Sequence, residues 1–328
     1  MVRAYVGEVL ARLGENSPGD LTGLPPFDLS RIITEWGIDP FLTVLSVWVA
    51  GAYLFAVWLL RSRGDHWPVG RTISFVVVGM GSFYVVTSSG LAAYDTVLLS
   101  VHMVQHMVLS MFVPLALALG APVTLALRVL PPRPRKVLLA VLHSRVVKVL
   151  SFPPLTFALF VLSPWALYFT SWYDASLSST YVHEMMHIHL VAVGSLFLWP
   201  LVGVDPVPGR VSYPFRMLLL VMTLPFHAFL GVTIMGQDEI LAEEWYSNIP
   251  LAWLPDPADD QRVAGGILWG TGDIVAIAFF GVLFAQWVRS SMQEAKREDR
   301  RLDRLDAQAA REDERAARAE GNADASAE

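Results

Sequence analysis

Residues 97–119 read VLLSVHMVQHMVLSMFVPLALAL, a run with no Asp, Glu, Lys or Arg. A helix needs ~20 apolar residues to cross ~30 Å of hydrocarbon. The run is long enough, and inside lipid the backbone must satisfy its own hydrogen bonds, so it is expected to be a transmembrane helix. It also carries His102 and His106 four residues apart. Ionisable side chains inside a membrane are rare and usually face a bundle interior or a cavity. The same stretch therefore decides the fold and poses the functional question.

Six further apolar runs flank it: 41–60, 72–90, 152–170, 182–202, 214–235 and 264–288. Seven spans make an all-α, polytopic membrane helical bundle. Composition agrees: 54% of the 328 residues are hydrophobic and 16% charged, with a mean hydropathy of +0.47. Residues 1–40 lack the charged start, short apolar run and small-residue cleavage site of a signal peptide, so the first apolar run is expected to be retained. There is no cysteine, which excludes disulfides and thiolate metal sites. Nothing in the sequence points to nucleic acid.

Basic residues alternate between the joints. Arg61, Arg63 and Arg71 follow span one; Arg128, Arg133, Arg135, Lys136, Arg145 and Lys148 follow span three. Arg210 and Arg216 follow span five, and Arg289, Lys296 and Arg297 follow span seven. The intervening joints, "SSGLAAYD", "TSWYDASLSST" and the acidic 236–260 segment, are neutral or negative. The positive-inside rule then puts the N-terminus outside and the C-terminus in the cytoplasm. The expected organisation is an extracytoplasmic segment over 1–40, a membrane domain over 41–289 and a charged cytoplasmic tail over 290–328, a solvated helix fading into disorder. Proline-rich "LPPRPRK" and "SFPP" mark helix ends. Trp245, Tyr246, Trp253 and Trp269 read as an interfacial aromatic belt.

Of eight histidines, His66 and His143 fall among basic residues on the expected cytoplasmic side. The other six share one depth on the outer side: His102 and His106, then His183, His187 and His189, then His227. Residues four apart lie on one helix face, so His102/His106 and His183/His187 form two facing pairs. Met103 and Met107 make an adjacent stripe, and Met186 lies within the second pair. Imidazole with thioether and no thiolate is a mixed, soft ligand set that suits copper and also zinc. Against this, methionine is an ordinary filler of apolar helices, and a membrane histidine often only bonds a neighbouring helix. Asp273 lies near the depth of His102 and His227, as a support for a ligand, a proton carrier or a plain hydrogen-bond partner. Glu184 is expected at the outer water interface.

"HEMMHIH", 183–189, fits H-E-x-x-H, the zinc-peptidase signature. The extended form fails, because no His follows at the right offset. The Asp-Gly ligand dipeptide of intramembrane metalloproteases occurs nowhere in the chain. An intramembrane metallopeptidase is thus a minor alternative. A haem-binding redox protein, with histidines from two helices as axial ligands, is another. The favoured reading is not an enzyme: copper enters from the outer face at His183, His187 and Met186, and passes to His102, His106 and His227.

"HMVQHMVLSMFVPLALALGAPVTLALR" at 102–128, "HEMMHIH", "WPLVGVDPVPGR" at 199–210, "LPFHAFLGV" at 224–232 and "GGILWGTGDI" at 265–274 resemble the CtaG-like, caa(3)-type family of bacterial cytochrome c oxidase assembly factors. The likeness runs from about Asp39 to Ser290. It implies a multi-pass protein of the bacterial plasma membrane that helps mature haem–copper oxidase, generally by copper supply. A haem–copper oxidase subunit and a copper donor protein are the partners this suggests, besides the lipid bilayer.

Overall fold

The computed structural model describes residues 21, 23–37, 39–209 and 211–325, with side chains as far as Arg311. The first half of the expected extracytoplasmic segment, Arg210 and the last three residues of the tail lie outside the described residues. The described residues form helices and no strand.

The helices are α1 (Arg31–Thr34), α2 (Pro40–Ser62), α3 (Val69–Tyr94), α4 (Leu99–Val129), α5 (Pro132–Leu142), α6 (Arg145–Leu150), α7 (Pro153–Tyr168), α8 (Trp172–Ser178), α9 (Thr180–Val202), α10 (Tyr213–Gly236), α11 (Glu243–Tyr246) and α12 (Pro257–Ala325). Six of these are long and apolar enough to cross a membrane, and α7 with α8, bent by 64°, pass the same test together, giving six to seven. Each of the seven apolar runs therefore lies in helix, though α4 runs ten residues past the third run to Val129 and α12 continues past the seventh to Ala325. The protein is a polytopic helical membrane protein.

Local chemistry sets the ends. Asp39 caps α2 by accepting from the Leu42 amide at 2.6 Å, with Pro40 at the first helical position. Midway along α4, Pro114 cannot donate to the Ser110 carbonyl. The chain widens into π-helical turns over Val108–Phe112, shortly after His106. Gly194 brings α9 against this point: an added Cβ there would meet the Ser110 carbonyl and lie 2.8 Å from Pro114 Cγ. The absent side chain lets the histidine faces of α4 and α9 meet.

Two stretches differ from the sequence reading, and a third, which does mark the end of α4, also starts a helix. "SSGLAAYD" is mostly helical, because α3 continues to Tyr94 after a break at Ser89. "LPPRPRK" begins a helix, α5, as prolines at the first turn allow. Arg216 is not a loop charge: it is 3% exposed within α10, its Nε donating to the Val211 carbonyl at 2.7 Å.

The aromatic belt also needs correction. Trp245 and Tyr246 are buried, and Trp245 Nε1 donates to the Thr96 carbonyl at 2.8 Å. Trp253 Nε1 donates to the Leu24 carbonyl at 2.8 Å. The segment before α12 folds back over the end of the bundle, so its tryptophans have backbone partners there. Trp269 alone of the four is exposed.

Backbone contacts divide the chain after Ala278. The unit up to Ala278 holds the bundle and every candidate site residue. The unit from Phe279 continues as helix to Ala325, exposed from Ser291 to Arg311, with an Arg301–Glu298 pair at 3.3 Å. The tail is thus helical through Ala325, farther than its composition suggested.

Candidate metal centre

The site starts from α9. His183 and His187 lie one turn apart on its buried face, 9% and 3% exposed, with ring centroids 4.6 Å apart. Asp95, 2% exposed, reaches them from the end of α3: its Oδ2 is 2.8 Å from His183 Nε2 and 3.8 Å from His187 Nε2. One ligand atom from each of the three lies within 4.8 Å of the others. Ligand atoms on one ion at ~2.1 Å lie at most about 4.2 Å apart, so a small side-chain adjustment would close the set.

The hydrogen bonds orient these rings. Gln105, fully buried on α4, donates from Nε2 to the Val86 carbonyl at 2.8 Å. Its Oε1 must then accept from His187 Nε2–H, 2.9 Å away. That tautomer leaves a lone pair on His187 Nδ1, which has no protein partner. His183 Nδ1 faces the Ser176 carbonyl at 3.2 Å.

His102 stands beside this group. It is 1% exposed, its ring is 6.2 Å from that of His183, and neither ring nitrogen has a partner. Buried polar groups are nearly always hydrogen-bonded. A ring with two bare nitrogens beside the imidazole of His183 therefore fits a cation's surroundings better than packing alone. Tyr173 lies against His102 at 5.1 Å and shares a hydrogen bond of 2.6 Å with Tyr246. Burial pushes the Tyr246 phenol up, so the pair stays protonated.

A cavity of about 290 Å³ touches the group, lined by Asp39, Thr87, Asp95, Thr96, His183, Glu184 and His187 among others. Glu184 is 7% exposed rather than solvated, and its carboxyl bonds that of Asp39. The first turn of α9 turns it into the bundle, where Asp39 at the start of α2 meets it.

The six histidines do not form one cluster. His106 lies deeper along α4, with Nδ1 2.8 Å from the Tyr168 hydroxyl and Nε2 unpartnered. With His227, Ser110 and Ser163 it lines a void of about 10 Å³, the size of one water. His227 Nδ1 donates to the Thr223 carbonyl at 3.1 Å, and Gly272 of α12 packs against its ring. Asp273, next along, has Oδ1 buried without a partner. His189 faces elsewhere: it is half-buried, bonded to Ser163 Oγ at 2.6 Å and set edge-on to Trp172. Met103, Met107 and Met186 are buried, at 0%, 4% and 0% exposed, among the packed side chains.

Sequence reasoning missed Asp95, Gln105 and Tyr168. Asp95 sat in a stretch read as a joint. Gln105 had a signal, being a lone amide between two histidines of an apolar run.

The fold and these residues define a class: a polytopic helical membrane protein with a buried histidine–aspartate–glutamine group open to a cavity at one end. More narrowly, the chain belongs to the family described as cytochrome c oxidase caa3 assembly factor (Caa3_CtaG), whose model matches residues 51–290. Uncharacterized proteins of Mycobacterium bovis and Mycobacterium tuberculosis are each 40% identical to it over 285 residues, 85% of this chain and 43% of theirs. An uncharacterized protein of Mycobacterium leprae is 37% identical over the same length. The chain thus spans less than half the length of these relatives. No solved structure matches it.

Proposed function

We propose that the protein handles copper for assembly of a haem–copper oxidase, without catalysing a reaction. The observation that carries this reading is Asp95, His183 and His187 with ligand atoms within 4.8 Å of one another, beside a buried His102 with two bare nitrogens. Two imidazoles and a carboxylate suit copper or zinc, whereas calcium and magnesium want oxygen alone. Membership of an oxidase assembly family favours copper as the cargo. Copper enters through the cavity beside Glu184 and rests on Asp95, His183 and His187. His102 and then His106, with His227 beside it, offer further bare nitrogens on α4, from which the ion passes to an oxidase subunit. The cavity faces the outside of the bacterial plasma membrane and α12 ends in the cytoplasm, as the basic joints require.

Two measurements test this. The purified protein, loaded with copper and desalted, is expected to keep the metal, and His183→Ala with His187→Ala to lose it. Full retention in the double variant would sink the site. A reporter active only in the periplasm, fused after Glu328, is expected to stay inactive; activity would reverse the orientation.

One observation favours a second reading. Asp95 gives the H-E-x-x-H histidines the carboxylate ligand that the sequence lacked, and Glu184 lines the same cavity. That arrangement suits a metallopeptidase.

A further inference from the structure

At the far end of α4 a different surface is built. Helices α5 and α6, of 11 and 6 residues, are too short to cross a bilayer and bury no residue. They turn valines outward: Val137, Val141, Val146 and Val149 are 64%, 52%, 67% and 60% exposed. A groove of about 410 Å³ opens beside them, lined by Val123, Leu142, Val147, Leu196, Trp199 and Pro208. That volume is in the range of ligand clefts, ~300–1,000 Å³.

The rim is basic. Arg133, Arg135 and Lys136 begin α5, while Arg145 and Lys148 flank Val147 on α6, all exposed. No Asp or Glu occurs between Asp95 and Asp174. Among the described residues none of these five cations has a carboxylate within ion-pair distance. Solvated cations normally acquire such neighbours on a soluble face. Here an apolar groove meets uncompensated positive charge where short amphipathic helices lie between spans, which is the pattern of an interfacial anchor.

We infer that this face binds an anionic phospholipid, one acyl chain in the groove and the headgroup phosphate on Arg145 and Lys148. The occupant is set by the charge: a zwitterionic lipid would fill the groove but leave the cations unpaired. Each basic residue near a membrane surface adds enough attraction for roughly a fivefold gain in binding of anionic lipid.

The test uses the full chain in detergent, with phosphatidylglycerol and phosphatidylcholine of equal chain length added in turn, and bound lipid counted by native mass spectrometry. The wild type is expected to prefer phosphatidylglycerol by about tenfold or more, less so in high salt. Arg145→Gln with Lys148→Gln is expected to abolish most of that preference while phosphatidylcholine binding holds. Ser195→Phe, placing bulk in the groove, is expected to reduce both lipids. Inorganic phosphate at the same concentration is expected not to compete, which separates a lipid site from a simple anion site. Equal binding of the two lipids by the wild type, or an unchanged preference in the double variant, would overturn the inference and leave the face to a protein partner.

Discussion

Asp95 and Asp205 are buried almost equally, 2% and 1% exposed, at opposite ends of α4. Their surroundings differ completely. Asp205 accepts four hydrogen bonds: from the Val123 amide at 3.1 Å, the Thr124 amide at 2.7 Å, the Thr124 hydroxyl at 2.6 Å and Trp199 Nε1 at 3.1 Å. It caps the first turn of the Pro122–Val129 part of α4, which restarts after the left-handed Ala121 and whose free amides need an acceptor. Asp95 faces imidazoles, the His183 nitrogen at 2.8 Å and that of His187 at 3.8 Å, and borders a cavity. A saturated carboxylate holds a fold together. One left facing groups that can also bind metal is free to do chemistry. Burial alone does not tell them apart; the donors do.

The largest expected effect breaks the fold side of this contrast. Asp205→Ala removes a charged acceptor from four donors at once, which should cost about 3–5 kcal/mol. Thermal unfolding in detergent should show a fall of several degrees, with copper per folded molecule unchanged. Loss of copper from the folded fraction would mean that the two carboxylates are not separable.

Next comes the converse. Asp95→Asn keeps the size and removes the charge. Stability should fall by about 1–2 kcal/mol, less than for Asp205→Ala, because the buried histidines lose a charged neighbour while Asn can still accept a hydrogen bond from His183 Nε2. Copper retention should fall at least tenfold, since a ligand is lost. A large drop in melting temperature with copper still bound would assign Asp95 a structural part like that of Asp205.

The same contrast explains what the sequence could disclose. The spans were legible because ~20 apolar residues in a row have few other fates. The His183/His187 pair was legible from its spacing of four. Asp95 was not, because its value depends on a meeting of α3 and α9 that no local pattern encodes. The single convergence of His102, His106, His183, His187 and His227 was an inference from shared depth. Depth fixes height along the bundle but not the azimuth of a face. Tyr168 stands at His106, which lines a separate small void with His227. Trp245 and Tyr246 were misread for a related reason: aromatic residues near a membrane edge have the same composition whether they meet lipid or cover a bundle end.

The smallest expected effect decides between the two readings of the site. Glu184 comes directly after His183, lines the cavity and bonds Asp39. Glu184→Gln preserves shape and can still bond the Asp39 carboxyl. If the residue only borders an entry path, copper affinity should shift by less than about threefold, and oxidase activity at limiting copper should stay near wild type, with added copper restoring any deficit. A peptidase uses the same glutamate as a general base, worth roughly 10²–10⁴-fold in rate. In that case activity would vanish at every copper level while bound metal stayed constant. The variant thus separates a group that greets a cation from one that takes a proton, since only the second depends on the carboxylate's basicity.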